Sequence, residues 1–522
     1  MMKYTSVIMA TLAITMPFTA ALSESNAATP EQLIISLGNE PDAGFDPIYG
    51  WGRYGDPLFQ STLIRRNKNL ELTGDLAANW TLSSDRLTWT IELKQNIKFS
   101  NGSDLTSADI AFTYLTAKSA ATTHDLNNLV KIEVVDASNL RFILKQPDIT
   151  FIDELASLGI VPKNSYDENY GQHPIGSGPY IFQRWDKGLQ LLVTANPFYH
   201  AQKPQFENIL IVFTDEDSKL ALLKSGQLQL AAIPQRFSSV ITPPLALWQI
   251  DSVDNRGISW PVNKPNKTDN QQANGNYVSQ DPAIRQAINL AMDRDLLVNG
   301  VLNGYGRPAH SIADDMPWGP VEQNLSNSAD LAAAKKILSD AGWADTNGNG
   351  IIDKDGHEAS MTLLYKSGDS VREQLSIVAA DMVKPLGINI ELLAGGWDFI
   401  ATKMHENPVL MGFGSHSAKE VRFVYHSDFA GVDFFNTGFY SSDKVDQALD
   451  NASNAPSWEA SLPFWQQAQQ QILADQPWTW LVNLDHLYAA TSCLDLGDPI
   501  PEPHGHGWPL TANITEWSWT CQ

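Results

Sequence analysis

Strand-like and helix-like segments alternate along almost the whole chain, and this alternation constrains the fold more than any other feature of the sequence. Leu87, Trp89, Ile91 and Leu93 alternate with polar residues, which is the pattern of a strand with one buried face. Four further segments have the length and composition of strands: 189–195, 209–213, 361–365 and 388–393. The chain has 522 residues, which is room for about two to four domains. We therefore predict mixed α/β domains.

Two helices are predicted from the signals at their ends. Residues 370–373 read Ser-Val-Arg-Glu, a capping box that opens a helix, and Pro385 ends that helix. A second helix is predicted over 327–341, with Gly342 at its C-terminal end. Residues 252–281 are polar and show little periodicity, so we predict that the chain crosses between two lobes there.

The N-terminus has the layout of a secretory signal. Lys3 precedes an apolar stretch that runs over 7–22, and a polar region follows it that ends in small residues. Cleavage is expected near Ala27 or Ala28. A membrane anchor is the alternative, but the apolar stretch is interrupted by threonines and no stop-transfer charges follow. No cysteine stands at the predicted cut, which argues against a lipid anchor. We predict an exported, soluble, periplasmic protein.

The charge balance bears on the partners. Fifty-nine acidic residues against 35 basic ones give a formal net charge of −24, which argues against nucleic acid or anionic lipid as a partner. The two cysteines exclude a disulfide-dense scaffold and a four-cysteine zinc module. In an oxidising compartment Cys493 and Cys521 can form a disulfide that closes a loop around residues 503–508, and two unpaired thiols are the alternative.

Two segments resemble known binding motifs, but their surroundings do not fit those motifs. Residues 50–55 fit a dinucleotide fingerprint, but prolines and glycines surround them where a strand and a helix are needed. The same segment offers Trp51, Arg53 and Tyr54 as a ligand wall. The segment that starts at Asp345 resembles an EF-hand loop, yet Gly356 stands where calcium needs a glutamate, so we predict a tight turn. With no P-loop, nucleophile elbow or HExxH motif in the sequence, we predict a protein that is not an enzyme.

His504 and His506 are the strongest candidates in the sequence for metal ligands. The two imidazoles are separated by one glycine, which permits both to point at a common metal ion. Neutral imidazole coordinates nickel, copper, cobalt and zinc. Because histidine is protonated near its usual pKa, we expect metal binding to weaken below about pH 6. A solvated loop is the alternative. Other histidines, such as His200 and His486, are interpreted as ordinary surface or core residues.

Several landmarks together resemble the peptide/nickel family of extracytoplasmic solute-binding proteins, which serve ABC importers. They occur in family order at residues 79–102, 106–110, 176–180, 196–199, 281–294 and 341–343. The resemblance implies a two-lobed periplasmic-binding-protein fold of α/β class (class II, cluster C type) with an extra domain on the first lobe. The implied divisions are a signal peptide at 1–27, a first lobe at 28–66, 176–273 and 485–522, an extra domain at 67–175, and a second lobe at 274–484.

The resemblance is to the branch of this family that binds nickel held by a small chelator, such as histidine or an opine-type metallophore. It implies His504 and His506 as metal ligands, with nickel as the transported ligand and no catalytic cofactor. The implied ligand-binding residues are Trp51, Arg53, Tyr54, Phe413, Ser415, His416, Arg422 and Tyr440. Trp51, Tyr54, Phe413 and Tyr440 would form apolar walls, and Ser415 and Arg53 would hydrogen-bond the chelator.

One departure from this branch concerns the carboxylates of the chelator. Residues 155–163 contain no arginine to clamp them, so the clamp is expected elsewhere. An oligopeptide binder of the same fold is the alternative function, and a secreted metal-dependent hydrolase is a remote one. The implied partners are the membrane subunits of an ABC permease, and the chain is expected to be monomeric, with no membrane insertion.

Overall fold

The computed structural model describes residues 30–55, 58–120, 123–267, 273–314, 316–321, 325–505 and 507–521. The predicted signal peptide and His506 lie outside the described residues. Two lobes are each built on one large mixed sheet, and a smaller domain carries a third sheet. The fold is therefore the two-lobed α/β architecture with an extra domain that the sequence predicted.

The sheet of the first lobe has seven strands. In spatial order they are Leu245–Ile250, His486–Thr491, Leu230–Ile233, Gln32–Ser36, Asn208–Val212, Gln190–Ala195 and Tyr180–Asp186. The central strand, Gln32–Ser36, pairs in parallel with both of its neighbours, while the outer strands pair antiparallel. Alternate side chains such as Leu33 and Ile35 are fully buried in the core.

The sheet of the second lobe has six strands. In spatial order they are Gly306–Pro308, Trp478–Leu484, Asn255–Ser259, Val409–Met411, Ser360–Lys366 and Asn389–Gly395. Every residue of Trp478–Leu484 is buried, because one hydrophobic core packs on each face of this sheet. Such a doubly covered strand reads as a continuous apolar run and gives no alternation.

Two short crossings join the lobes. The first runs from the end of Leu245–Ile250 to the start of Asn255–Ser259, and the second lies between Trp478–Leu484 and His486–Thr491. The strand Asn255–Ser259 hydrogen-bonds within the second sheet, although the boundary drawn from the sequence at residue 274 placed it in the first lobe. We therefore propose a boundary near residue 254. The polar stretch that suggested the later boundary lies mostly beyond this strand.

The small domain carries an antiparallel sheet, and its core also includes Ile48, Leu63 and Ile64, which precede the range 67–175 proposed for the extra domain. Its antiparallel sheet has the order Ala77–Leu82, Thr88–Leu93, Asn139–Leu144 and Leu129–Val134. Trp89, Ile91 and Leu93 are buried, as their alternation predicted. The domain also contacts the second lobe, because Arg86 Nη1 donates to the carbonyls of Asn454 and Ala455 at 3.0 and 2.7 Å.

Helices surround the sheets. Their bounds are Ser107–Ala120, Phe151–Ser157, Glu216–Lys224, Pro282–Ala291, Arg294–Gly300, Leu331–Asp340, Ser370–Val383, Trp397–Ala401, Lys419–Tyr425, Asp443–Ser453 and Trp458–Asp475. Short 3-10 helices occupy Pro47–Tyr49, Tyr170–Gln172, Gln235–Val240, Lys384–Leu386, Ser427–Phe429 and Trp508–Asn513. In the described part of the chain, no helix combines the length and the apolar character that crossing a membrane requires.

Four short two-stranded pairs, one disulfide and one Asn/Gly-rich turn complete the architecture. Two-stranded pairs are formed by Ile64–Arg66 with Leu72–Gly74, Asn266–Lys267 with Ala273–Asn274, Asp353–Lys354 with His357–Glu358, and Leu494–Asp495 with Ser518–Trp519. The last pair lies next to a disulfide between Cys493 and Cys521, whose Cα atoms are 5.0 Å apart. The segment that resembles an EF-hand is a turn, in which the Asp345 carboxylate accepts backbone N–H groups of Gly348 and Gly350.

Candidate functional site

A cavity of about 510 Å³ lies between the two lobes. The first lobe contributes residues from two segments far apart in sequence, and the second lobe closes the opposite side. The principal lining residues are Trp51, Arg53, Tyr54, Lys366, Trp397, His504 and Trp508. This is the volume range of sites for small molecules, which are typically concave, partly aromatic and lined by few polar groups.

The loop after the 3-10 helix Pro47–Tyr49 supplies three of these wall residues. The Asp46 carboxylate accepts the N–H of Ile48 at 2.9 Å and so caps the start of this short helix. Gly50 ends the helix with a φ of 100°, a left-handed conformation that glycine adopts without strain. The chain then turns, and the next residues face the cavity.

Aromatic and cationic groups pack together on this wall. The rings of Trp51 and Trp508 meet edge to face with centroids 5.0 Å apart. Arg53 Nη2 donates to the Tyr54 hydroxyl at 3.1 Å. Burial opposes the charge of Arg53, but Tyr54 and nearby carboxylates raise the pKa of the guanidinium above its usual value. Burial also raises the pKa of Tyr54 to about 12. The wall therefore offers one persistent cation beside a neutral phenol.

His504 stands on the same wall and is held from both sides. Its backbone N–H donates to the carbonyl of Gly414 in the second lobe at 2.7 Å. Its Nδ1 is 2.7 Å from Asp254 Oδ1. Burial lowers the pKa of His504 to about 4, although Asp254 acts in the opposite direction. Burial therefore favours the neutral imidazole of His504 below the limit of about pH 6 that an ordinary histidine would set.

Asp254 is the centre of a buried charged network beneath this wall. Its carboxylate is 2.5 Å from Arg256 Nη1 and 2.9 Å from His486 Nε2. Burial alone would raise the pKa of Asp254, but Arg256 and His504 hold it well below its usual range. The other nitrogen of His486, Nδ1, is 2.5 Å from Glu502 Oε2. Burial opposes the charged imidazole, yet the two carboxylates raise the pKa of His486 to about 10.

A second buried arginine lies close to this network. The Asp369 carboxylate accepts the N–H of Arg372 at 2.9 Å and also pairs with its guanidinium. The guanidinium carbon of Arg372 lies 5.5 Å from the ring centroid of Trp397, which lines the cavity. Nε of Arg372 and Nε of Arg256 are buried and have no hydrogen-bond partner among the described residues. Buried donors without a partner are unusual and indicate a place where a ligand or water completes the bonding.

A smaller cavity of about 110 Å³ lies on the other side of Arg53 and Tyr54. Ser415 and His416 of the second lobe line it, together with residues of the small domain. His416 is 8% exposed, and its Nε2 has no hydrogen-bond partner among the described residues. Burial, aided by nearby Arg66, lowers the pKa of His416 to about 3, so its imidazole is neutral.

Phe413, Tyr440 and Arg422 were predicted for the ligand site but do not line the two cavities that contain Arg53. The first two lie in a hydrophobic core. Phe413 is 4% exposed and packs edge to face on Trp478 in the core of the second lobe. Tyr440 is in the same core, and its hydroxyl donates to Asp475 at 2.6 Å. Both side chains are apolar enough to be drawn into that core, and neither lines the described cavities between the lobes.

Arg422 is also placed away from the predicted site. Its Nη1 is 2.6 Å from Asp450, and it lines a separate cavity of about 390 Å³ between the small domain and the second lobe. The structure thus places Arg422 against Asp450 on a neighbouring helix and outside the two cavities that contain Arg53.

The structure thus brings together Trp51, Arg53, Tyr54 and His504 around the large cavity, and Ser415 and His416 around the small one. Sequence reasoning missed Asp254, Arg256, Arg372, His486 and Glu502. No local motif marks these residues, since they meet only after both crossings have formed. Among the described residues, no group of three or more His, Cys, Asp or Glu side chains is arranged to hold a metal ion.

The chain matches known proteins over most of its length. A family model described as "Bacterial extracellular solute-binding proteins, family 5 Middle" matches residues 71–425. Protein XP55 of Streptomyces lividans is 32% identical over 492 residues, which cover 90% of this chain and 86% of that protein.

Two solved structures share the architecture. NikZ from Campylobacter jejuni in complex with Ni(L-His) has a TM-score of 0.84 and 23% identity, covering 94% of this chain and 99% of that one. AppA from Bacillus subtilis in complex with a nonapeptide has a TM-score of 0.80 and 23% identity, with the same coverage. At these identities the structural likeness shows a common fold alone.

Proposed function

The chain belongs to family 5 of the bacterial extracellular solute-binding proteins, and from this premise we propose that it captures nickel as a complex with a small chelator. Proteins of this family bind a peptide or a nickel chelate for an ABC importer and pass it to the permease. Their role is binding rather than catalysis. The chelators we propose are histidine and opine-type metallophores. We also propose that the chain is exported, with cleavage near Ala27, and acts as a monomer.

The observation that carries this proposal is the position of His504 on the cavity wall together with its neutral protonation state. The side chain lines the large cavity, and burial keeps it neutral, with a pKa of about 4. Because ionised Asp254 can only accept a hydrogen bond, Nδ1 of His504 must carry the proton, and Nε2 keeps the lone pair. A neutral imidazole with its lone pair on Nε2 is the form that binds nickel and similar ions. We retain His506 as a second proposed ligand.

The proposed metal ion needs more donor atoms than His504 supplies, so we propose that a chelator provides the rest. A divalent transition metal takes about four to six donor atoms, and His504 supplies one. Histidine or an opine-type molecule would supply amine, imidazole and carboxylate donors. The carboxylates would be held by Arg53 on the cavity wall, and the buried Arg256 and Arg372 add positive charge behind it. We propose that these arginines take the place of the carboxylate clamp that residues 155–163 lack.

The remaining contacts follow from the cavity walls. Trp51, Trp508 and Tyr54 provide apolar and edge-to-face surfaces against a planar ligand. Ser415 and His416 in the small cavity are proposed to hydrogen-bond the part of the chelator that extends past Arg53. NikZ, which shares this fold, was solved with Ni(L-His), and that supports a nickel chelate as the cargo.

A peptide is the second candidate ligand. AppA, whose fold is also shared, was solved with a nonapeptide, and a relative 26% identical to this chain is an oligopeptide-binding protein. The cavity of about 510 Å³ between the lobes has room for a short peptide. In that case His504 would line the cavity without touching a metal.

Isothermal titration of the mature, metal-stripped protein separates these functions. We expect nickel with excess L-histidine to bind at pH 7, and nickel alone to bind more weakly. His504→Ala should abolish binding of the chelate, whereas His357→Ala, which removes an exposed imidazole stacked on Tyr277, should bind it like the wild type. Binding of peptides with no response to the nickel chelate, or full binding by His504→Ala, would reject the proposal.

A further inference from the structure

We propose that Asp254 is the positioning residue for His504: it fixes the tautomer and the direction of that imidazole, and His486 and Glu502 anchor it across both lobe crossings. What His504 then binds rests on the proposed function above. The position of the proton on His504 does not rest on it, and it can be measured without any ligand.

The geometry at Asp254 leaves little freedom to its carboxylate. The residue is 1% exposed, and its Oδ1 accepts from His504 Nδ1 at 2.7 Å and from Arg256 Nη1 at 2.5 Å. Its Oδ2 faces His486 Nε2 at 2.9 Å. Both oxygens are therefore committed to donors that come from three different segments. A carboxylate fixed in this way directs the ring plane of its histidine partner.

The bond also decides which nitrogen of His504 carries the proton. A carboxylate paired with a guanidinium and an imidazolium stays ionised and offers no proton of its own. His504 must therefore donate through Nδ1, and its lone pair is directed away from Asp254 on Nε2. A histidine without such a partner prefers the other tautomer, in which Nε2 carries the proton and a metal ion has no lone pair there.

The anchor of Asp254 spans both crossings. Asp254 itself ends the first crossing, and His486 starts the strand directly after the second. His486 Nδ1 reaches Glu502 Oε2, which also accepts the hydroxyl of Tyr488 at 2.6 Å. The backbone of Glu502 is fixed as well, because its carbonyl accepts the N–H of Val253 at 2.9 Å. The segment that carries His504 is thus tied to both connections between the lobes.

A close approach of backbones on the other side completes the fixation. Gly414 accepts the N–H of His504, and a Cβ on Gly414 would lie 2.2 Å from the carbonyl oxygen of Val253. Only glycine fits there, at a φ of 136°. His504 is therefore held by its backbone to the second lobe and by its ring to the first crossing.

The first test measures the tautomer in the full mature chain without ligand. Long-range 1H–15N correlation spectra of protein labelled at the histidine nitrogens report which ring nitrogen is protonated, and His504→Ala identifies the signals. We expect wild-type His504 to be protonated on Nδ1 and not on Nε2. In Asp254→Asn the amide can donate as well as accept, and we expect the proton to move wholly or partly to Nε2. Protonation on Nε2 in the wild type, or an unchanged spectrum in Asp254→Asn, overturns the proposal.

The second test measures binding with nickel and excess L-histidine as the probe. Asp254→Asn should weaken binding about 10- to 100-fold, the usual effect of removing an outer partner of a metal-bound histidine. The matched control is Asp485→Asn, since Asp485 lies in the second crossing and its carboxylate accepts from Gln249 Nε2 at 2.7 Å. It should bind like the wild type.

The two tests separate the two proposals. If Asp254→Asn moves the proton but neither it nor His504→Ala alters affinity for the probe, the nickel function fails and the positioning role stands. If His504→Ala abolishes binding while Asp254→Asn keeps both the wild-type tautomer and the wild-type affinity, the positioning role is overturned and the nickel function stands.

Discussion

At the scale of single residues, two buried glutamates on the wall of the small cavity differ in charge at neutral pH. Glu154 lies 2.5 Å from Lys419 and 3.1 Å from His124, and these partners outweigh burial and lower its pKa to about 2. Glu420 accepts the N–H of Gly414 at 2.9 Å, but burial dominates and raises its pKa to about 8. One carboxyl group is thus ionised, while its neighbour is mostly protonated.

The protonated state of Glu420 predicts how stability changes with pH. Its pKa rises from about 4.5 in the unfolded chain to about 8 in the folded one. The folded state therefore binds the proton more tightly, and this contribution to stability is complete below about pH 4.5 and is lost as pH rises to about 8. Glu420→Gln should remove this loss. Urea unfolding at about pH 5, 7 and 9 measures it, with exposed Glu406→Gln as the control, and equal pH slopes in Glu420→Gln and the wild type would contradict the assignment.

The site could be predicted at this scale only where a local pattern marks it. Trp51, Arg53 and Tyr54 follow one another in a glycine-rich loop, and His504 belongs to a histidine–glycine repeat, so a single window of sequence shows each group. Asp254 and His486 are 232 residues apart and meet only through the crossings. Phe413 and Tyr440 lie in the core of the second lobe, because an aromatic residue near a predicted cleft suits the adjoining core equally well.

At the scale of the elements, strands were predicted more accurately than helix starts. The predicted strand 361–365 is observed as Ser360–Lys366, a short apolar run whose Leu363 and Leu364 lie in different cores on the two faces of the sheet. The helix predicted from 327 begins at Leu331, capped by Asp330. The capping box at Ser370 is one residue late, since the Asp369 side chain accepts the N–H of Arg372. Several residues near each start can act as a cap, and only tertiary contacts select one.

Asp369 both caps a helix and pairs with a buried arginine, so its removal should destabilise the fold more than the loss of a cap alone. Besides capping Ser370–Val383 it neutralises Arg372, whose side chain is 2% exposed. Asp369→Ala should therefore lower the free energy of unfolding by about 2–4 kcal/mol, because it removes the cap and leaves a buried cation without its partner. Asp330→Ala removes a cap alone and should cost about 1 kcal/mol. Urea titration of both variants measures the difference, and equal losses would show that the Arg372 pair adds nothing.

At the scale of the whole molecule, contacts far from the crossings hold the lobes together. Arg236 of the first lobe donates to Ser370 Oγ of the second at 3.2 Å. Ser417 Oγ donates to Asp153 Oδ2 at 2.5 Å, which joins the second lobe to the small domain. We predict that these contacts break when the lobes separate, so that they favour the closed form over an open one without touching a ligand.

The ion pair between Lys419 and Glu154 is the most buried of these contacts, with both side chains 5% exposed. Lys419→Met leaves Glu154 buried with His124 alone in the closed form, whereas opening returns the carboxylate to water. We expect the closed form to lose about 3 kcal/mol relative to the open form. Ligand affinity should then fall by as much as about 100-fold, because less of the protein is in the competent state.

Small-angle X-ray scattering of the ligand-free protein tests this shift directly, and we expect a larger radius of gyration for Lys419→Met than for the wild type. Lys384→Met breaks an exposed pair with Asp381 and should change neither the radius nor the affinity. Adding Glu154→Gln to Lys419→Met removes the unpaired charge and should restore part of the compaction. A wild-type radius for Lys419→Met would contradict the role of this pair in holding the second lobe against the small domain.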